Sequence, residues 1–163
     1  MKRLLIAVLM CSVMIMAACS GGESLTWYET KEEAIQEGVI SEGAGGYAVL
    51  SVEEYDGETF IFYEYNDALG VASIAESDKG YAWYRSSAYY GFEGDSPIHT
   101  IGFQTETYSR FEVAVIAGAV NDSAITSVHV AGGEPLDIHG PSGFFYLIHD
   151  GTVELTEVEA VEG

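Results

Sequence analysis

The sequence predicts an α+β protein, mainly antiparallel β, in which one short N-terminal helix lies on a β-meander and a sandwich-like β half follows. Three observations carry this. A capping box followed by a brief apolar stripe occurs near residue 30. Beyond it, runs rich in Val, Ile, Tyr and Phe are cut at short intervals by Asp-Gly, Asn-Asp and Gly-Gly pairs, the pattern of strands joined by tight turns. With 48% hydrophobic residues, including 11 Tyr, 7 Phe and 2 Trp, the chain can build a core despite 26 acidic against 6 basic residues and a net charge of −20.

The first segment, residues 1–18, is a leader. It opens with Met1-Lys2-Arg3 and is apolar from Leu4 to Ala18 except for Ser12. That is a secretory pattern, since crossing a bilayer as a helix takes roughly 20 apolar residues, and the small polar run Ser20-Gly21-Gly22-Glu23-Ser24 ends the stretch. The tetrapeptide Met16-Ala17-Ala18-Cys19 resembles the lipobox of bacterial lipoprotein precursors, although Met16 stands where that family usually has leucine. The resemblance implies that signal peptidase II cuts before Cys19, that its thiol carries a diacylglyceryl group, and that residues 19–24 tether the domain to the extracytoplasmic face of a cell membrane. Ordinary secretion with cleavage near Ala18 is the alternative. Cysteine usage agrees with lipidation, because Cys11 falls in the leader and Cys19 is the one thiol an exported chain would keep. Two acyl chains anchor firmly, each buried methylene contributing about 0.8 kcal/mol.

The folded part begins at Leu25-Thr26-Trp27-Tyr28. Thr30 and Glu33 form the capping box, Glu32 and Glu33 complement the helix dipole, and Gly38 is placed to close a helix of about two turns, with Ala34 and Ile35 as its narrow apolar stripe. Strands are expected over 47–55, 59–65, 69–76 and 81–86. Asp56-Gly57 marks a type I′ hairpin, in which both central residues need positive φ. Along 59–65, Phe60 and Phe62 share one face while Ile61, Tyr63 and Tyr65 share the other, so this strand is expected to be central and covered on both sides. The aperiodic stretch 88–99, with Gly91, Gly94 and Pro97, separates a first half, 25–95, from a β-rich second half, 96–163. In the second half, strands are expected over 98–107, 111–120, 125–131, 144–149 and 152–161. Neither half is large enough to stand alone, so the two are expected to share one core.

Candidate chemistry is sparse. His129, His139 and His149 recur every ten residues, with His99 upstream, but no H-x-H or H-E-x-x-H pair anchors a zinc site, and isolated histidines are the better reading. Ser142, in His139-Gly140-Pro141-Ser142-Gly143, lacks the spacing of a nucleophile elbow. Glu93-Gly94-Asp95-Ser96 lacks the calcium-loop pattern. No catalytic residue, metal ligand or cofactor is assigned. The most unusual feature is the aromatic segment Tyr81, Trp83, Arg85, Tyr89, Tyr90 and Phe92, a candidate ligand-binding surface if its rings are exposed and core packing if they are not. The stretch Gly80-Tyr81-Ala82-Trp83-Tyr84-Arg85-Ser86-Ser87-Ala88-Tyr89-Tyr90-Gly91-Phe92-Glu93-Gly94 is similar in order and aromatic content to small lipoproteins of Gram-positive bacteria, a resemblance that implies no activity.

Charge completes the expectation. Lys2 and Arg3 are the leader's only charges, so the mature chain carries −22. Nucleic acid is excluded as a partner, and the body of the domain is expected to stand away from anionic lipid. The function this predicts is a membrane-anchored extracytoplasmic interaction module that binds a protein or peptide, basic partners being favoured by charge, with carbohydrate or wall-fragment binding through the aromatic surface as the alternative and a hydrolase or metalloenzyme behind both.

Overall fold

The computed structural model describes residues 24–43, 45, 48–149 and 157–163. The leader, Cys19 and the first half of the expected 152–161 strand lie outside them. The chain adopts the predicted class: one helix and antiparallel strands arranged in sheets.

Local signals build the first sheet. Thr30 caps helix α1 (Lys31–Ser41), its hydroxyl accepting a 3.1 Å hydrogen bond from the Glu33 amide. Strand β1 (Trp27–Tyr28) precedes the helix, and β2 (Val49–Tyr55), β3 (Glu58–Tyr65), β4 (Ala68–Ser77) and β5 (Gly80–Arg85) follow as a meander. Asp56 and Gly57 have φ of 49° and 85°, and Asn66 and Asp67 have 49° and 59°. Both β2–β3 and β3–β4 are therefore closed by two-residue turns with positive φ at each central position, whose twist matches that of the strands. The sheet order is β1-β5-β4-β3-β2. Strand β6 (Tyr90–Gly91) extends the β5 edge by pairing with the start of β4.

From there the chain crosses to a second sheet, ordered β10-β8-β7, made of β7 (Ile98–Glu106), β8 (Glu112–Val120) and β10 (Phe144–His149). Strands β9 (Ile125–Val130) and β11 (Val158–Glu162) pair with each other. The sandwich forms between the two halves of the chain rather than within the second. Phe60, Phe62, Leu69 and Val71 of the first sheet pack with Val113, Val115, Ala117, Phe144 and Tyr146 of the second. On the opposite face of the first sheet, Ile61, Tyr63, Ala72 and Ile74 pack with Ala34 and Val39 of α1. Three layers result, and β3 lies in the middle one with Phe60 through Tyr63 fully buried.

Helix α1 departs from expectation at Gly38. The residue does not end the helix, which runs 11 residues to Ser41 before Gly43, at φ 81°, turns the chain away. Gly38 instead lies in the packed interface with β5, where an added Cβ would come within 2.2 Å of the Trp83 ring. The glycine makes room for an indole, and buried Val39 carries the helix one turn further.

This contact fixes the sign of a substitution. On an exposed helix face Gly→Ala gains about 1 kcal/mol from helix propensity. At Gly38 the methyl meets the inner atoms of the Trp83 ring, and overpacking of this kind costs about 1–3 kcal/mol. Gly38→Ala should therefore lower the urea midpoint of unfolding, whereas Gly91→Ala, where nothing lies within 4 Å of the added carbon, should leave it nearly unchanged.

Candidate functional site

The aromatic segment predicted from sequence is split between the two faces of the first sheet. Tyr81, Trp83 and Tyr89 belong to the helix-facing cluster. Tyr90 stacks on Phe103 with centroids 4.2 Å apart, and Phe92 packs near Phe144 at 5.9 Å, both toward the second sheet. The rings thus do not form one platform. Trp83 has Gly38 against its face and Tyr63 at its edge, 5.3 Å between centroids. The Arg85 guanidinium lies over the Tyr89 ring at 5.8 Å.

What this segment does assemble is a polar knot on Glu42, just past the end of α1. Its carboxylate accepts from the Trp83 indole N–H at 3.3 Å, the Arg85 guanidinium at 3.3 Å and the Tyr89 hydroxyl at 2.8 Å. The Tyr63 hydroxyl donates in turn to that of Tyr89 at 3.3 Å. Glu42 holds the Arg85 guanidinium above its usual pKa, and burial pushes the hydroxyls of Tyr63 and Tyr89 upward. A cavity of about 470 Å³ opens beside this knot, between the end of α1, β5 and residues 24–28. With Glu42 already accepting from three donors, the knot clamps helix to sheet, and Arg85, Glu37 and Ser41 are exposed polar groups along the cavity.

The histidines are dispersed. The His99 ring faces the Gly94 carbonyl, His129 faces that of Gly133, and His149 ends β10. Among the described residues no three His, Cys, Asp or Glu side chains are grouped to hold a metal ion. The Ser142 hydroxyl donates to Glu64 at 2.6 Å, which ties the 139–143 turn to β3 and turns that hydroxyl to a carboxylate.

His139 belongs to a second cleft, of about 310 Å³, between the adjoining edges of β2 and β10 and the loop that precedes β10. Its floor is a stack of three rings: Phe62 lies parallel to Tyr146 at 3.8 Å and 2°, and His139 covers the other face of Tyr146 at 4.8 Å and 13°. The Tyr146 hydroxyl donates to Ser51 at 2.8 Å. Burial pushes that hydroxyl up to about 12, against the bond to Ser51, and the carboxylates of Glu53 and Asp137 add to the push. Glu53 and Asp137 are exposed at the rim, while the Glu54 carboxylate turns to the α1 side of the sheet, where it meets Lys31 at 2.9 Å. With Phe62 and Tyr146 buried, the stack presents the half-buried His139 ring to the cleft beside the Glu53 and Asp137 carboxylates, which suits a cationic side chain with an apolar stem.

No family model, curated protein or solved structure matches the chain. Sequence reasoning reached His139 only as one of a spaced histidine set and did not connect it with Tyr146, Glu53 or Asp137. Glu53 and Asp137 are two of 26 acids, and nothing local separates them from the rest. Tyr146 lies in an apolar strand run whose readable signal is burial.

The buried hydroxyls set an alkaline limit. Up to pH 10 Tyr146 is neutral in both the folded and the unfolded chain; above it, the unfolded chain loses a proton that the folded chain keeps until about 12. Stability should thus be intact below pH 10 and fall as pH rises through that window, with Tyr63 and Tyr89 acting in the same direction. Urea unfolding at stepped pH should show the decline, and Tyr146→Phe should make it shallower.

Proposed function

We propose that the chain is a lipid-anchored extracytoplasmic interaction module that docks a basic peptide or protein segment by binding rather than by catalysis. The observation that carries the docking is the cleft between β2 and β10, where the ring stack of Phe62, Tyr146 and His139 lies beside the carboxylates of Glu53 and Asp137. A lysine or arginine side chain can lay its stem and charge against the His139 ring while the Glu53 and Asp137 carboxylates neutralise it. The net charge of −20 acts in the same sense at longer range, raising the encounter rate with cations. Anchoring is supported by the leader and by Met16-Ala17-Ala18-Cys19.

Carbohydrate binding through Tyr81, Trp83, Tyr89, Tyr90 and Phe92 has less support, because a sugar needs a free ring face. Gly38 covers Trp83, Arg85 covers Tyr89, and Phe103 covers Tyr90.

Calorimetric titration with a lysine- and arginine-rich peptide tests the docking. Affinity should fall as salt is raised, and each of Glu53→Gln and Asp137→Asn should cost about 0.2–1 kcal/mol, as expected for partly exposed ion pairs. Equal affinities for the wild type and the double variant would remove the cleft from the interaction. Mass spectrometry of the mature protein recovered from cells tests the anchor, through acyl groups on Cys19.

A further inference from the structure

We infer that the domain has a membrane-facing side, formed by Trp27, Tyr84 and Tyr108 with Lys79, and that these side chains enter the headgroup layer of the bilayer to which the chain is tethered. The inference rests on the lipid anchoring proposed above and adds a surface to it.

The two sheets differ in width, and this exposes the patch. The second sheet packs on the β3 and β4 part of the first, leaving the β1–β5 edge outside the shared core. On that edge, β1 and β5 pair with Trp27 opposite Ala82. Strand alternation puts Trp27 and Tyr84 on the face away from α1, since Tyr81 and Trp83 face the helix. Tyr108, in the turn between β7 and β8, reaches the same place and is 50% exposed. Its ring meets Trp27 edge-on at 6.4 Å and Tyr84 at 5.8 Å. The Lys79 ammonium lies 5.9 Å from the centre of the Trp27 ring. Among the described residues Lys31, Arg85 and Arg110 are each paired with a carboxylate, and Lys79 is the cation left without one.

The occupant follows from where the chain enters. Cys19 precedes Ser24 by five residues, a span of at most about 18 Å when fully extended. Ser24 leads directly into β1, so the edge strand carrying Trp27 is the part of the domain next to the anchor. Tryptophan and tyrosine favour the membrane–water interface, and a lysine beside them can extend its ammonium to the phosphates. Net charge alone would hold the whole domain off the surface. Glu29, Glu76 and Asp78 are exposed close to the patch, so it suits zwitterionic headgroups better than anionic ones.

The test uses the mature acylated protein in vesicles of phosphatidylcholine whose acyl chains are brominated, with tryptophan fluorescence as readout. The chain has two tryptophans, and Trp83 lies on the opposite face of the sheet, under α1. The bromines should quench the emission, and Trp27→Phe should abolish most of the quenching while leaving the circular dichroism of the fold unchanged. Tyr108→Ser, at an exposed turn position, should weaken the quenching and shift the Trp27 emission to the red. Acylated protein that floats with the vesicles but is quenched equally with and without Trp27 would overturn the membrane-facing side alone. A mature protein without acyl chains would overturn the anchoring as well.

Discussion

Strand β3 constrains everything else in this molecule. Its side chains alternate between two faces that are both dry: Phe60 and Phe62 toward the second sheet, Ile61 and Tyr63 toward α1. A strand with one wet face can be satisfied by a single covering layer, but this one requires two. The helix supplies one cover through Ala34 and Val39, and β8 and β10 supply the other. A one-residue slip of β3 would exchange the two sets and place Tyr63, whose hydroxyl serves the knot at Glu42, in the wrong layer. The two-residue turns on either side of β3 guard against that slip, since their geometry permits only one register.

The scarce cations occupy defined positions in an acidic protein. Lys31 joins the Glu54 carboxylate, which it holds below its usual pKa, to the Thr59 hydroxyl and so ties the start of α1 to the meander. Arg85 reaches Glu42 at the other end of the helix. Helix α1 is thus pinned to the sheet at both ends by charge and in the middle by the contact between Gly38 and Trp83. Surface ion pairs contribute little individually, about 0–1 kcal/mol. Their role here is orientation, while the apolar stripe supplies the adhesion.

Features encoded locally were legible in the sequence. The Thr30 cap on the Glu33 amide, the Asp56-Gly57 turn and the two-faced pattern of 59–65 each depend on residues a few positions apart, and each is present as read. Features that depend on distant residues were not legible. Gly38 carries the ordinary mark of a helix end, and only the arrival of Trp83 from β5 makes it an interior position. Strands β1 and β6 have two residues each, too few to show a period. The Tyr81–Phe92 segment announced itself by its density of rings, but strand alternation and the crossover after β6 send those rings to different layers. The ring stack of Phe62, Tyr146 and His139 joins three separate parts of the chain, and no spacing rule connects them.

The order of the strands along the chain has a consequence for how the molecule is made. Strands β2 to β5 are joined by the shortest possible links, so this part can zip together from neighbouring residues in microseconds once it is free to do so. Its Phe60 and Phe62 face, however, has no cover until β8 and β10 have been synthesised, and β10 must close over the intervening β9 to reach β8. Distant pairings of this kind are slow. During that delay the newly made chain presents a preformed greasy sheet to its surroundings, and it is this interval, more than the finished domain, that invites aggregation or the attention of a chaperone.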